Sequence, residues 1–151
     1  METLAAPPPI ATPLGTVRFA EETTTVRPDE LCTLFDRQAI YWTVGRTESD
    51  WRRLLESSRL FGARLGEAGE LVGTLRLWSD RVYEAKIYDV VVTARLRGYG
   101  IASALVVWAL RDPWASDVQT VVLETRDAVA LYRRFGFVTG EEAATIHMRR
   151  R

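Results

Sequence analysis

Apolar and polar positions alternate over 16–20, TVRFA, with the two-residue period of a half-buried strand. In RPDELCTLFDRQAI the period changes. Leu31, Leu34 and Phe35 recur at helical spacing, Pro28 suits a first turn, and Asp29 and Glu30 favour the positive end of a helix dipole. YWTVGRT, 41–47, reads as a loop, and SDWRRLLESS as a short helix capped by Ser49 or Asp50. Two β-rich runs then flank a turn near Glu67 to Glu70. After SDR comes a further run, YEAKIYDVVVT, and a helix from about Gly100 to Arg111, which Pro113 should stop. VQTVVLET at 118–125 reads as a strand and DAVALYRRFGF as a helix from Asp127 closed by Gly136. ATIHMRR at 144–150 reads as a last strand.

The order is strand, two helices, three strands, helix, strand, helix, strand. It predicts an α/β fold on a mixed sheet, an antiparallel meander followed by crossovers. The start, METLAAPPPIATPLG, has neither the basic nor the continuous apolar region of a signal peptide. Its prolines predict a disordered tail over 1–14, ahead of one domain over 15–151.

Charge removes several function classes. Lys plus Arg number 20 and Asp plus Glu number 20. A net charge of zero gives no footprint for nucleic acid or an anionic membrane, and no apolar run is long enough to span one. The expected location is cytoplasmic, and the single Cys32, read as a small core residue, fits a reducing compartment. One His and one Cys cannot assemble a familiar zinc set, so no metal is expected.

The chemistry gathers at Val90–Leu110, where an apolar strand meets Arg95, Arg97, Gly98 and Gly100 and turns at once into a helix. Free N–H groups of a first helical turn, the helix dipole and glycines that admit close approach together make an anion site, and a pyrophosphate is its natural guest. No GxxxxGK[ST] run is present. In Gly98-Tyr99-Gly100-Ile101-Ala102-Ser103 a serine stands where the dinucleotide fingerprint needs Gly or Ala.

RGYGIA, Arg97 to Ala102, resembles the acetyl-CoA pyrophosphate loop of the GCN5-related N-acetyltransferases (GNAT), [QR]-x-x-G-x-[GA]. DAVALYRRFGF resembles that family's A-x-x-L-Y-x-x-x-GF segment. The resemblance covers about 15–150 and implies a mostly antiparallel six- to seven-stranded sheet with helices on both faces. It implies a cytoplasmic enzyme that moves the acetyl group of acetyl-CoA to a primary amine, a small molecule in preference to a protein. Homodimers are frequent in the family. The alternative is a module that senses acetyl-CoA or CoA without turnover.

Carried over residue by residue, the resemblance gives Val90, Val91 and Val92 to the pantetheine and acetyl carbonyl. It gives Arg97, Gly98, Tyr99, Gly100, Ile101, Ala102 and Ser103 to the diphosphate, with Asp127 also on the cofactor side. Asp127 stands where many members carry Asn. Tyr132 takes the place of the general acid; as residues alone it is equally a half-buried tyrosine beside Leu131 and Phe135. Many relatives carry a Glu base where this chain has Tyr88. Asp89, a carboxylate inside an apolar strand, is the candidate base, with the competing reading of a structural carboxylate paired with an arginine. Glu84, Asp80 and an ordered water chain are the other candidates, and His147 is read as structural. Tyr41, Trp42 and Arg46, joined by Trp78 and Tyr83, are the candidate walls of the acceptor site, with core packing and dimer contacts as their competing roles.

Overall fold

The computed structural model describes residues 4–40, 43–67, 69–143, 148 and 150. The expected last strand at 144–150 and His147 therefore fall largely outside the described residues, as do Tyr41 and Trp42.

Among the described residues six strands form one sheet in chain order: β1 (Ile10–Thr12), β2 (Gly15–Glu21), β3 (Ser58–Leu65), β4 (Glu70–Ser79), β5 (Glu84–Val92) and β6 (Thr120–Val122). Neighbours from β1 to β5 are antiparallel. Among the described residues the β5–β6 pair alone is parallel, and the crossover that a parallel pair needs runs through helix.

β1 takes part of the expected tail. Ile10 pairs with Val17, and Pro13, which has no N–H to lose, occupies the turn. There Thr12 Oγ1 donates to the Gly15 carbonyl at 2.7 Å and accepts from the Leu14 N–H at 3.2 Å.

Helices cover both faces of the sheet. On one, α1 (Pro28–Arg37) and α2 (Glu48–Glu56) bury Leu31, Leu34, Phe35 and Trp51 against Leu60, Leu71 and Val91. Phe35 and Trp51 pack with their ring centroids 4.9 Å apart and their planes tilted by 58°. On the other, α3 (Ile101–Arg111), α4 (Pro113–Ser116) and α5 (Val129–Arg133) close over Phe61, Leu75, Leu77 and Ile87.

Several boundaries differ from expectation for local reasons. α2 begins earlier because Thr47 is its cap; Asp50 is the reciprocal partner, accepting from the Thr47 N–H at 2.8 Å while Thr47 Oγ1 accepts from the Asp50 N–H at 3.1 Å. Pro113 ends α3 by holding Asp112 extended, and then itself opens α4, which Asp112 caps through the Trp114 N–H at 3.0 Å. The strand expected over 118–125 pairs only over Thr120–Val122, and the helix expected from Asp127 starts at Val129.

Candidate active site

The end of β5 carries the candidate site. Its pairing with β4 slips between Thr74 and Arg76: Thr74 faces Val91 and Arg76 faces Tyr88, so Asp89 and Val90 share one opposing residue. This is a β-bulge, and Asp89 takes a left-handed conformation there, φ +54°. Thr74 Oγ1 secures it by donating to the Asp89 carbonyl at 2.9 Å. Along its other edge β5 meets β6 only at Glu84, Ala85 and Lys86. There β6 ends, and among the described residues no strand pairs with Ile87–Val92 on that side. Val91 and Val92 bury their side chains in the two opposite cores, and Val90 is half-buried.

β5 runs on through a single turn of 3-10 helix, Ala94–Leu96, into Arg97-Gly98-Tyr99-Gly100 and then α3. Gly98 and Gly100 have φ of +87° and +84°, where a side chain would be strained, and a Cβ on either would point into open space. Gly100 caps α3 without a side chain, and the first bond back to its carbonyl comes from the Ala104 N–H at 3.0 Å. The N–H groups of Ile101, Ala102 and Ser103 are thus the free donors of the first turn. Arg97 and Tyr99 are exposed, and Arg97 Nε reaches back to the Val92 carbonyl at 3.4 Å. Free donors, glycines with open space above them and an exposed guanidinium fit a diphosphate; the open β5 edge fits an extended chain bearing amides.

Asp89 lies behind the bulge, on the α1/α2 face, with 2% of its side chain exposed. Arg76 Nε donates to its Oδ2 at 2.7 Å, and Arg46 Nη1 lies 3.1 Å from the same oxygen. Arg76 Nη1 also donates to Ser58 Oγ at 3.0 Å, and its guanidinium sits 4.3 Å from the Tyr88 ring centre. Arg46 stacks on Trp51 at 4.5 Å. Of the two readings of Asp89, this geometry supports the carboxylate paired with arginine. Asp80 is committed elsewhere: its Oδ1 accepts from the Val82, Tyr83 and Glu84 N–H groups in the β4–β5 turn.

Tyr132 is 7% exposed and belongs to the same buried cluster as Val92, Leu96 and Ile101. Burial, with the Asp127 carboxylate adding to it, pushes its phenol up to about 12. A cavity of about 990 Å³ between β6 and α5 reaches Tyr132 and includes neither Val90–Val92 nor Arg97–Ser103 in its wall. Asp127 itself is exposed.

The acceptor-side residues divide. Arg46 joins the Asp89 cluster and also lines a second cavity, about 610 Å³, between the Thr43–Arg46 loop and α2. Trp78 is half-buried on β4 opposite Lys86. Tyr83 is 63% exposed at the start of β5, roughly 20 Å from Asp89 at the rise of a strand. Arg76, Ser58 and Gln38 were not singled out from the sequence, although an arginine inside the apolar run ELVGTLRLWS was a usable signal. Gln38, at the end of α1, accepts from the Ala94 N–H at 3.0 Å and donates to Thr93 Oγ1 at 3.3 Å, tying α1 to the start of the glycine loop.

No helix among the described residues is long and apolar enough to cross a membrane. Nor do three His, Cys, Asp or Glu side chains among them converge as metal ligands.

Residues 25–137 match the sequence pattern of the acetyltransferase (GNAT) family. A histone acetyltransferase from Glycine max is 30% identical over 82 residues, 54% of this chain; the chain spans 36% of that relative's length. Two solved bacterial structures described as acetyltransferases share the fold. The one from Xanthomonas campestris pv. campestris, a GNAT-family protein, has a TM-score of 0.75 and 25% identity over 89% of this chain and 92% of its own. The one from Deinococcus radiodurans R1 has a TM-score of 0.69 and 26% identity over 89% and 88%. Glycine loop and matched residues agree, and the chain belongs to the GNAT family of acetyltransferases.

Proposed function

We propose that this protein is an acetyl-CoA-dependent N-acetyltransferase acting on the primary amine of a small molecule. The observation that carries the reading is the β5 edge, unpaired beyond Lys86 among the described residues, beside a glycine loop with three free helical N–H donors. Acetyl-CoA would supply an activated acetyl thioester. Ile101, Ala102, Ser103 and Arg97 would hold its diphosphate, with Gly98, Tyr99 and Gly100 forming the turn. The open backbone edge at Val90–Val92 would pair with the pantetheine amides and turn an N–H toward the acetyl carbonyl, where negative charge develops during attack.

In the overall reaction the amine nitrogen bonds to the acetyl carbon and the carbon–sulfur bond breaks. The amine gives up a proton and the leaving sulfur gains one. Tyr132 is the donor this chain offers to that sulfur. A phenol held at about 12 keeps its proton at neutral pH. A thiol sits near about 8.5, so complete transfer is uphill by roughly 5 kcal/mol. Tyr132 would therefore act by hydrogen-bonding the sulfur as charge develops, the proton moving late. Asp89, fixed between Arg76 and Arg46, holds the bulge in place, and the proton leaving the amine passes through water. The cavity beside Arg46 is of a size for a small acceptor.

A sensor that binds CoA without turnover is the second reading, favoured by the engagement of Asp89 in ion pairs. Thiol release from acetyl-CoA across a panel of amines separates the two. Acceptor-dependent release, lowered in Tyr132→Phe, is the expected result; tight CoA binding with no release for any amine would favour the sensor.

A further inference from the structure

Asp89 holds a backbone conformation that its own side chain disfavours. Within β5 its φ is +54°, in a region that a residue other than glycine seldom occupies. Such a conformation persists where the surroundings over-determine it. Thr74, wholly buried on β4, fixes the Asp89 carbonyl through its Oγ1 at 2.9 Å. Arg76 Nε and Arg46 Nη1 hold the carboxylate, both at Oδ2, from 2.7 and 3.1 Å.

The two arginines are braced in turn by the helices above them. Arg76 Nη1 donates to Ser58 Oγ at 3.0 Å, and that hydroxyl donates to the Leu54 carbonyl in the last turn of α2. The Arg46 guanidinium lies 4.5 Å from the ring centre of the buried Trp51 on α2. The Arg46 carbonyl accepts from Cys32 Sγ of α1 at 3.9 Å, and its N–H donates to the Thr43 carbonyl at 3.0 Å. Arg46 is thus a strut from the α1/α2 pair to the bulge. A bulge re-aims the backbone that follows it. Here that backbone is Val90–Val92, on the edge that no described strand pairs, where an N–H would face the acetyl carbonyl. A shift of about 1 Å at such a donor can cost about a hundredfold in rate.

We infer that Arg46 is a positioning residue: through Asp89 it holds the left-handed turn of β5 and so sets the aim of the backbone donors beyond it. Its effect falls on the rate of the chemical step and not on the binding of the acceptor. The inference rests on the transferase reading for the reaction those donors serve; the link from Arg46 to the bulge rests on the ion pair and the braces behind it. Arg76 keeps its bond to Asp89 when Arg46 is replaced, so the Arg46 variants leave no bare carboxylate in the core.

Two measurements on the full chain test it, and the first needs no turnover. NMR of the free, isotope-labelled protein reads the Asp89 backbone angle from its φ-dependent scalar couplings. Wild type and Arg46→Lys, which keeps a cation near Oδ2, should give the left-handed value. Arg46→Gln should move it toward the extended one. An Asp89 that stays left-handed in Arg46→Gln overturns the inference. The second is steady-state kinetics with whichever amine of the panel releases thiol fastest. Arg46→Gln should lower kcat by about tenfold or more while the acceptor KM stays within about twofold, and Arg46→Lys should recover most of the loss. In an Asp89→Asn background residue 89 still tolerates positive φ and still offers Arg76 an oxygen, but has no charge for Arg46 to hold. There the Arg46→Gln step should cost less than about twofold. An equal loss in both backgrounds overturns the inference. So does a raised acceptor KM with kcat unchanged, which would make Arg46 a contact of the acceptor and leave the transferase standing. If no amine releases thiol, the transferase reading falls, and the couplings still decide what Arg46 does to the bulge.

Discussion

The glycine loop and the Asp89 cluster lie at the same end of β5 and are built from different material. The loop is backbone. Its donors are the N–H groups of α3, its shape comes from two glycines at positive φ, and Arg97 is its one exposed guanidinium. The cluster is side chain. Arg46 comes from a loop, Ser58 from β3, Arg76 from β4, and Asp89 from the bulge of β5. A backbone site accepts many side-chain changes as long as the turn survives. A buried ionic cluster fails when one member is lost, because the rest are left charged in the core.

The largest expected effect tests that contrast on the cluster side. Asp89→Ala releases two arginines into a buried setting and should lower folding stability by about 3–5 kcal/mol, measured by urea unfolding. A loss below about 1 kcal/mol would mean that water already screens the cluster. Next is Tyr132→Phe, which keeps the packed ring and removes the hydroxyl; kcat should fall by about a hundredfold or more with KM for acetyl-CoA little changed. The same variant sets a pH effect. The folded phenol titrates at about 12 and an unfolded one near 10, so the unfolded chain loses its proton first. Wild-type stability should fall as pH rises from 10 toward 12, by up to about 3 kcal/mol, and Tyr132→Phe should lack that component. Arg97→Glu comes third. It should weaken CoA binding by about tenfold or more and leave the unfolding midpoint in place, since the side chain is exposed and makes one long bond, at 3.4 Å. A large shift in the midpoint would make Arg97 part of the scaffold and break the distinction between the two regions.

The two materials also explain what the sequence disclosed. A backbone site is written contiguously: VVV, Arg97, Gly98, Gly100 and an apolar helix follow one another, so the loop and the strand before it were legible. The mixed sheet, an antiparallel meander followed by a crossover, was legible in the order of the elements, and helices on both faces followed from the family resemblance. The cluster spans positions 46 to 89, and nothing in the spacing of Arg46, Ser58, Arg76 and Asp89 marks them as neighbours. Only the bulge, which turns Asp89 toward α2, brings them together, and a bulge on a non-glycine residue has no simple sequence sign. β1 was hidden by its prolines, since Pro13 serves a turn as readily as it denies a strand.

One residue joins the two regions, and its removal gives the smallest effect of the set. Gln38 follows α1 directly and precedes the loop that carries Arg46; its amide is the side-chain bridge from there to Thr93 and Ala94, at the root of the glycine loop. A parallel ion chain, Arg37 to Glu70 to Arg95, runs over the surface and should contribute little. Gln38→Ala removes two part-exposed hydrogen bonds, so about 1 kcal/mol of stability is at stake. Local packing alone would end the matter there. If the amide sets the position of the loop relative to α1, CoA affinity should also fall a few-fold, and Gln38→Glu, which can still accept from the Ala94 N–H, should recover part of it. Calorimetric titration of CoA into the three proteins distinguishes these outcomes. Equal affinity in all three would mean that the backbone loop holds its shape without help from the acceptor side.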